Sequence, residues 1–216
     1  MNVYLIPGLG SDKRMYKSLL EVLPNAKVIE FIRPYYGETL EEYAQRIALG
    51  IDNSVPFSLV GTSLGGMIAV EISKILQPEK IVLIASAKSR NELPLFLRSL
   101  SVVKLHKLFR APIVTKTKER KIKRIVSDSN AELKTLLLEM NKDADPLFIE
   151  WAGDAVIHWK GEANYRKDII HFHGTKDGLF PIKRIENCIP IIGATHFMAL
   201  NLGEELKRKV EAVFKN

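Results

Sequence analysis

The chain has 216 residues, 46% hydrophobic and 26% charged, which fits one globular unit and argues against a disordered or fibrous chain. Its single cysteine, Cys188, excludes an internal disulfide, and no run of about 18 apolar residues suggests a membrane-spanning helix. The net charge of +7 is uneven: of 32 Lys+Arg and 25 Asp+Glu, 12 and 2 fall between Lys88 and Val126, leaving 20 and 23 elsewhere.

In chain order, Asn2 to Ile6 is a short apolar strand, followed by Pro7-Gly8-Leu9-Gly10. No secretory signal is expected at this start, and the single cysteine suits a reducing, cytoplasmic setting. Ser11 can cap a helix to about Leu23, with Met15, Leu19, Leu20 and Leu23 on one face. A strand over Ala26 to Ile32 and a turn over Pro34 to Gly37 follow. Thr39 and Glu42 then have the spacing of a capping box for a helix to about Ile51.

Pro56 to Val60 reads as a third strand, Met67 to Leu76 as a helix, and Gly61-Thr62-Ser63-Leu64-Gly65-Gly66 lies between them. Strand, sharp turn with a central serine, and helix make the setting of a nucleophile elbow. The serine needs a strained backbone to lift its hydroxyl over the sheet edge, and Gly61 and Gly65 leave room for strand and helix to pass closely. A plain glycine-rich turn is the bland alternative. A phosphate-binding loop is disfavoured because no Lys-Ser/Thr pair follows.

Lys80 to Ser86 is a fourth strand. About 80 residues without a strand signal come next, with helices expected over Pro94 to Arg110, Thr115 to Val126, Ala131 to Met140 and Asp145 to Trp159. Ile169 to His173 and Ile189 to Ile192 are the last two strands, and Gly203 to Phe214 is a closing helix. Apolar strands alternating with helices predict a parallel sheet of about six strands covered on both faces, its site at the carboxyl edge.

An activated serine needs a base, and the base needs a carboxylate to orient it. Asp177, in the turn Gly174-Thr175-Lys176-Asp177-Gly178 after the fifth strand, is the candidate acid. A turn-forming Asp-Gly pair is its bland reading. Asp154 sits inside a helix and Asp168 at the wrong end of a strand. His196, in Gly193-Ala194-Thr195-His196-Phe197 after the last strand, is the candidate base, with Phe197 and Met198 as pocket walls. His106 and His158 fall on helices. His171 and His173 share one face of a strand without an evident third metal ligand, and they read as structural, His173 beside the acid turn. The Leu64 N–H at the helix start and the Leu9 N–H in the first loop are the candidate oxyanion donors. Cys188, in an apolar run, reads as a core residue.

With Pro-Gly-Leu-Gly, G-T-S-L-G-G, H-G-T-K-D-G and G-A-T-H-F in this order over nearly the whole length, the chain resembles the α/β-hydrolase superfamily. The resemblance implies an α/β-hydrolase fold, with residues 1–87 and 151–216 as core and 88–150 as a basic helical cap. It also implies a serine hydrolase acting on an ester or thioester, with Ser63, Asp177 and His196 as triad and no metal or organic cofactor. The same triad could instead serve carbon–carbon bond hydrolysis or a lyase reaction, and a non-catalytic small-molecule binding protein is the reading from another class. Many relatives have His-Gly where this chain has Pro7-Gly8, and the 19 residues from Asp177 to His196 are fewer than usual. The expected partner is a small ester-type substrate with an apolar acyl part. Neither nucleic acid nor stable membrane insertion is expected. The cap's lysines and arginines are expected outward or at the pocket mouth, as a solvated face, with steering of anionic substrates and weak binding to an anionic membrane surface as alternatives.

Overall fold

The computed structural model describes residues 1–100, 116, 117, 119, 120, 122, 131–161, 168–200 and 204–215. Six strands, β1 (Asn2–Ile6), β2 (Lys27–Val28), β3 (Phe57–Thr62), β4 (Lys80–Ile84), β5 (Ile169–Gly174) and β6 (Ile189–Ile191), form one sheet in the order β2-β1-β3-β4-β5-β6. Every neighbouring pair is parallel. The carboxyl ends of the strands therefore share one edge. The order reverses between β1 and β3, the switch point where open α/β sheets leave a crevice.

Strand alternation sorts the core into two layers. On one face, Tyr4, Ile6, Leu59, Ile81 and Leu83 pack under α2 (Leu40–Ala48), α3 (Leu64–Ile72) and α6 (Pro146–His158). On the other, Val3, Leu5, Val60, Val82 and Phe172 pack under α1 (Lys17–Val22), α5 (Ala131–Asp143) and α7 (Glu204–Lys215). α4 covers Leu95–Leu100, and residues 116, 117, 119, 120 and 122 are also helical. None of the described helices is long and apolar enough to cross a membrane.

Local chemistry sets the helix ends. The Thr39 hydroxyl accepts from the Glu42 N–H at 3.2 Å while the Glu42 carboxylate accepts from the Thr39 N–H at 2.8 Å, completing the capping box. Asp145 caps α6 by accepting from the Leu147 N–H at 2.9 Å. Near the chain start the cap is Asp12, not Ser11. Its carboxylate takes the Arg14 N–H at 2.9 Å, and the first helical turn is a tighter 3-10 turn over Lys13–Tyr16. β2 is shorter than the expected Ala26 to Ile32. After Ile29 N–H bonds Leu5 O, the chain leaves the sheet, and Phe31 stacks on Phe148 of α6 at 4.4 Å.

Between β4 and β5, described residues pack back on the sheet. Phe148, Ala152, Ala155 and Trp159 belong to one core layer, and Ile122, Leu137 and Met140 to the other. Lys88 and Arg90 depart from the expected outward-facing charge. Lys88 is 1% exposed, and the Arg90 guanidinium donates to the Ile157 and Trp159 carbonyls at the end of α6. Lys116 and Arg120 are exposed. Residues 101–110 of the helix expected over Pro94 to Arg110, and most of that expected over Thr115 to Val126, lie outside the described residues, as does His106.

Candidate active site

Ser63 follows β3 directly and is the residue from which α3 starts, with φ 52° and ψ −119°. Positive φ strains a residue with a Cβ, and the strain is held from three sides. Ser63 N–H donates to Ile84 O at 3.1 Å, and the Ser86 hydroxyl donates to Ser63 O at 2.6 Å. The neighbouring glycines supply the third constraint. A Cβ on Gly61 would lie 2.5 Å from the Gly66 Cα, and one on Gly65 would strike the carbonyl oxygens of Ile6 and Pro7. A Cβ on Gly66 would strike the Ser86 side chain. Gly65 thus lets α3 close against the end of β1, a contact beyond the expected strand–helix passage.

His196 lies in the loop after β6. Its Nε2 is 2.9 Å from Ser63 Oγ, and its Nδ1 is 2.8 Å from Asp177 Oδ2. The other Asp177 oxygen accepts the N–H groups of Leu179 and Phe180, each at 2.8 Å. The Asp177 side chain is fully buried, while that of His196 is 12% exposed. Burial alone would raise the Asp177 carboxyl. The His196 imidazole, the Phe180 N–H and the nearby His173 together outweigh it and hold the carboxyl below its usual value.

The acid turn and the base loop are laced together. Lys176 N–H donates to Ala194 O at 2.9 Å, Thr175 N–H to Ile191 O at 3.1 Å, and Gly193 N–H to the Thr175 hydroxyl at 2.8 Å. That lacing permits the short spacing between Asp177 and His196. The connection from β5 to β6 contains only a 3-10 turn, Ile182–Arg184, instead of a full helix.

The loop after β1 lies against the serine, since a Cβ built on Gly8 would be 3.4 Å from Ser63 Cβ. Gly10, at φ 61°, and the Ser11 N–H bond to Gly8 O at 3.1 Å shape that loop around Leu9. Leu64 is the first residue of α3, so its amide belongs to the helix N-terminus. The Phe197 ring is 6.1 Å from that of His196, and Phe180 flanks the imidazole at 5.3 Å. Met198 is buried in the core layer beneath, beside the residues of α1 and α7.

Asp154 lies on α6, 3.4 Å from His158, and Asp168 precedes β5 at the opposite edge from the site. Three contributors escaped the reading of the sequence. Ser86 follows β4 and holds the elbow. Tyr16, fully buried, donates to Ile6 O at 2.6 Å and lies 3.0 Å from Thr62 Oγ1. Lys88 reaches His171 from the chain after β4. Only the small residues around Ser86 hinted at close packing there.

No protein-family model and no curated protein matches the chain. Solved structures do. A thermophilic esterase from Thermogutta terrifontis superposes with a TM-score of 0.72 at 16% identity, over 100% of this chain and 89% of that one. The chain has the α/β-hydrolase fold. A carboxylesterase structure from Nitrososphaera gargenis gives 0.73 at 14% identity over 99% and 89%. The bottromycin epimerase BotH, solved with bottromycin A2, gives 0.68 at 20% identity over 98% and 90%. An α/β-hydrolase fold carries more than one chemistry, so function must be argued from the site.

Proposed function

We propose that this chain is a serine hydrolase that cleaves a carboxylic ester or thioester through an acyl-enzyme on Ser63. The observation carrying this reading is the continuous line Ser63 Oγ, His196, Asp177 at the carboxyl edge of the sheet. The likeness in fold to esterases favours the same reaction class.

The steps follow from the atoms. Asp177 accepts the Nδ1–H of His196, which leaves the Nε2 lone pair facing Ser63. As the Ser63 oxygen attacks the substrate carbonyl, its proton passes to Nε2 and the carbonyl oxygen becomes an oxyanion. The amides of Leu64 and Leu9 are assigned as the donors for that charge. Collapse breaks the bond to the alcohol or thiol, which takes the proton from Nε2. Water, giving a proton to the same nitrogen, then attacks the acyl-enzyme, and Nε2 returns that proton to Ser63 Oγ as the acid leaves. None of these steps calls for a metal or organic cofactor.

The acyl part is taken as apolar because the Phe180 and Phe197 rings flank His196. A cavity of about 470 Å³ borders Pro7 and Gly10 of the β1 loop without touching Ser63 or His196, and its walls mix Val28, Ile29, Phe31 and Phe148 with charged residues such as Glu30, Arg33 and Asp145. The Arg14 guanidinium at that cavity is held by Asp12 and Asp143, at 2.6 and 2.8 Å, so its charge is already matched. The lone Cys188 fits a reducing, cytoplasmic setting. A panel of p-nitrophenyl esters of graded chain length tests the proposal. Turnover that rises with acyl length and disappears in Ser63→Ala supports it, and no turnover of any ester contradicts it.

A further inference from the structure

Behind Asp177 lies a row of buried polar groups that the proposed reaction does not use. The Lys88 ammonium lies 3.0 Å from Glu92 Oε1 and 3.0 Å from His171 Nδ1. His171 Nε2 is 3.2 Å from His173 Nδ1. His173 Nε2 is 2.8 Å from Phe180 O and 3.4 Å from Asp177 Oδ2, the oxygen that faces His196. Lys88, Glu92, His171 and His173 are all at most 1% exposed.

The donors and acceptors can be assigned in only one direction. An ammonium has hydrogens to give and no lone pair, so His171 Nδ1 must accept. The proton of a neutral His171 is then on Nε2 and is donated to His173 Nδ1. The proton of His173 is consequently on its own Nε2, pointing at Phe180 O and the Asp177 carboxylate. Both imidazoles stay neutral, because burial first, and for His171 also the Lys88 charge, disfavour the second proton. The opposite polarity would set a His173 lone pair against two oxygens, opening the turn from which the Leu179 and Phe180 amides hold Asp177.

We propose that Lys88, through His171 and His173, fixes the proton polarity of a buried relay that positions Asp177 for His196. This rests on the triad reading above. Lys88, His171 and His173 are positioning residues, since none reaches Ser63 or His196 in the contacts described. Glu92 anchors the far end, where its carboxylate accepts the N–H groups of Lys88 and Glu186 at 2.6 and 2.9 Å.

The test compares His173→Leu with His173→Gln, and adds Lys88→Met at the remote end. Three readouts are taken: ester kinetics, the rate of fluorophosphonate labelling, and imidazole ¹⁵N NMR shifts at pH 7. In the unmodified protein, His171 and His173 should both be neutral with the proton on Nε2. His173→Leu, which removes the N–H, should lower kcat about 100-fold, the scale of a small misplacement of a reacting group, with KM nearly unchanged. His173→Gln, which can restore an N–H near the same point, should recover most of the loss. In Lys88→Met the His171 proton should no longer be confined to Nε2, and labelling should slow. If that variant does not fold, the His173 pair and the NMR of the unmodified protein decide. Normal labelling and kcat in a folded His173→Leu, or a proton on Nδ1 of either imidazole in the unmodified protein, would overturn the relay alone. Failure of the unmodified protein to label at Ser63 would overturn the triad reading and the relay with it.

Discussion

The Gly65 Cα faces the carbonyl oxygen of Ile6 so closely that a single added carbon would overlap it. This contact brings α3 down onto the end of β1 and sets the β1 loop beside Ser63. Backbone atoms on both sides leave no flexible group to yield. Gly65→Ala and Gly61→Ala should therefore each destabilise the fold by at least about 1–3 kcal/mol and suppress labelling of Ser63. Gly178, where a Cβ would meet nothing within 4 Å, is the control. Gly178→Ala should change stability by less than about 0.5 kcal/mol in urea titrations.

Asp177 accepts three N–H groups from Leu179, Phe180 and His196, and an asparagine cannot accept all three with the same geometry. Asp177→Asn should lower kcat by about 10⁴ through the wrong His196 tautomer. His196→Ala should cost a comparable factor, and the double variant little more than either alone, because the residues act as one unit. Asp154→Asn, on the surface of α6, should retain full kcat/KM. An Asp154 variant as inactive as Asp177→Asn would refute the choice of acid.

Stability should fall on the acid side in two stages. The folded-state values of His171 and His173 lie below the ordinary imidazole value of 6.5, so below that pH the unfolded chain binds protons that the folded chain refuses. Stability is then lost as pH falls, by about 1.4 kcal/mol per pH unit for each proton withheld. Asp177, also held below its ordinary 3.8, adds a second loss of the same sign beneath that pH. Urea unfolding between pH 8 and 4 measures the first stage. His171→Asn/His173→Gln, lacking both imidazoles, should flatten the curve near pH 6.

The sheet, most helix positions and the Ser63, Asp177 and His196 loops were legible because each rests on a local pattern. Apolar strands alternating with helices set a sheet covered on both faces, and the Thr39–Glu42 spacing set a helix start. Turn residues at strand ends marked the site. What escaped depends on contacts distant in sequence. Lys88 counts as one more charge in a basic segment, yet His171, 83 residues away, and Glu92 draw it inside. Ser86 looks like a strand end until Gly66 of α3 arrives beside it. Charge counts describe a segment's average, whereas burial selects individual members of it.

The exposed part of the basic segment behaves differently from Lys88 and Arg90. Lys116 and Arg120 stand in solvent, where their charges are screened. Lys116→Gln/Arg120→Gln should leave kcat/KM unchanged for neutral and anionic esters alike. A salt dependence confined to anionic esters, and removed by these substitutions, would instead assign the two side chains a role in steering substrate.

The central claim is that His196 and Asp177 make the Ser63 hydroxyl a nucleophile, and mapping the adduct of a fluorophosphonate probe tests it most directly. The unmodified protein should gain one phosphonyl group, located by peptide mass spectrometry on Ser63. Ser63→Ala should gain none while keeping its unfolding midpoint, and His196→Ala should label slower by a factor of about 10³ or more. An adduct on any other residue, or undiminished labelling of His196→Ala, would contradict the account.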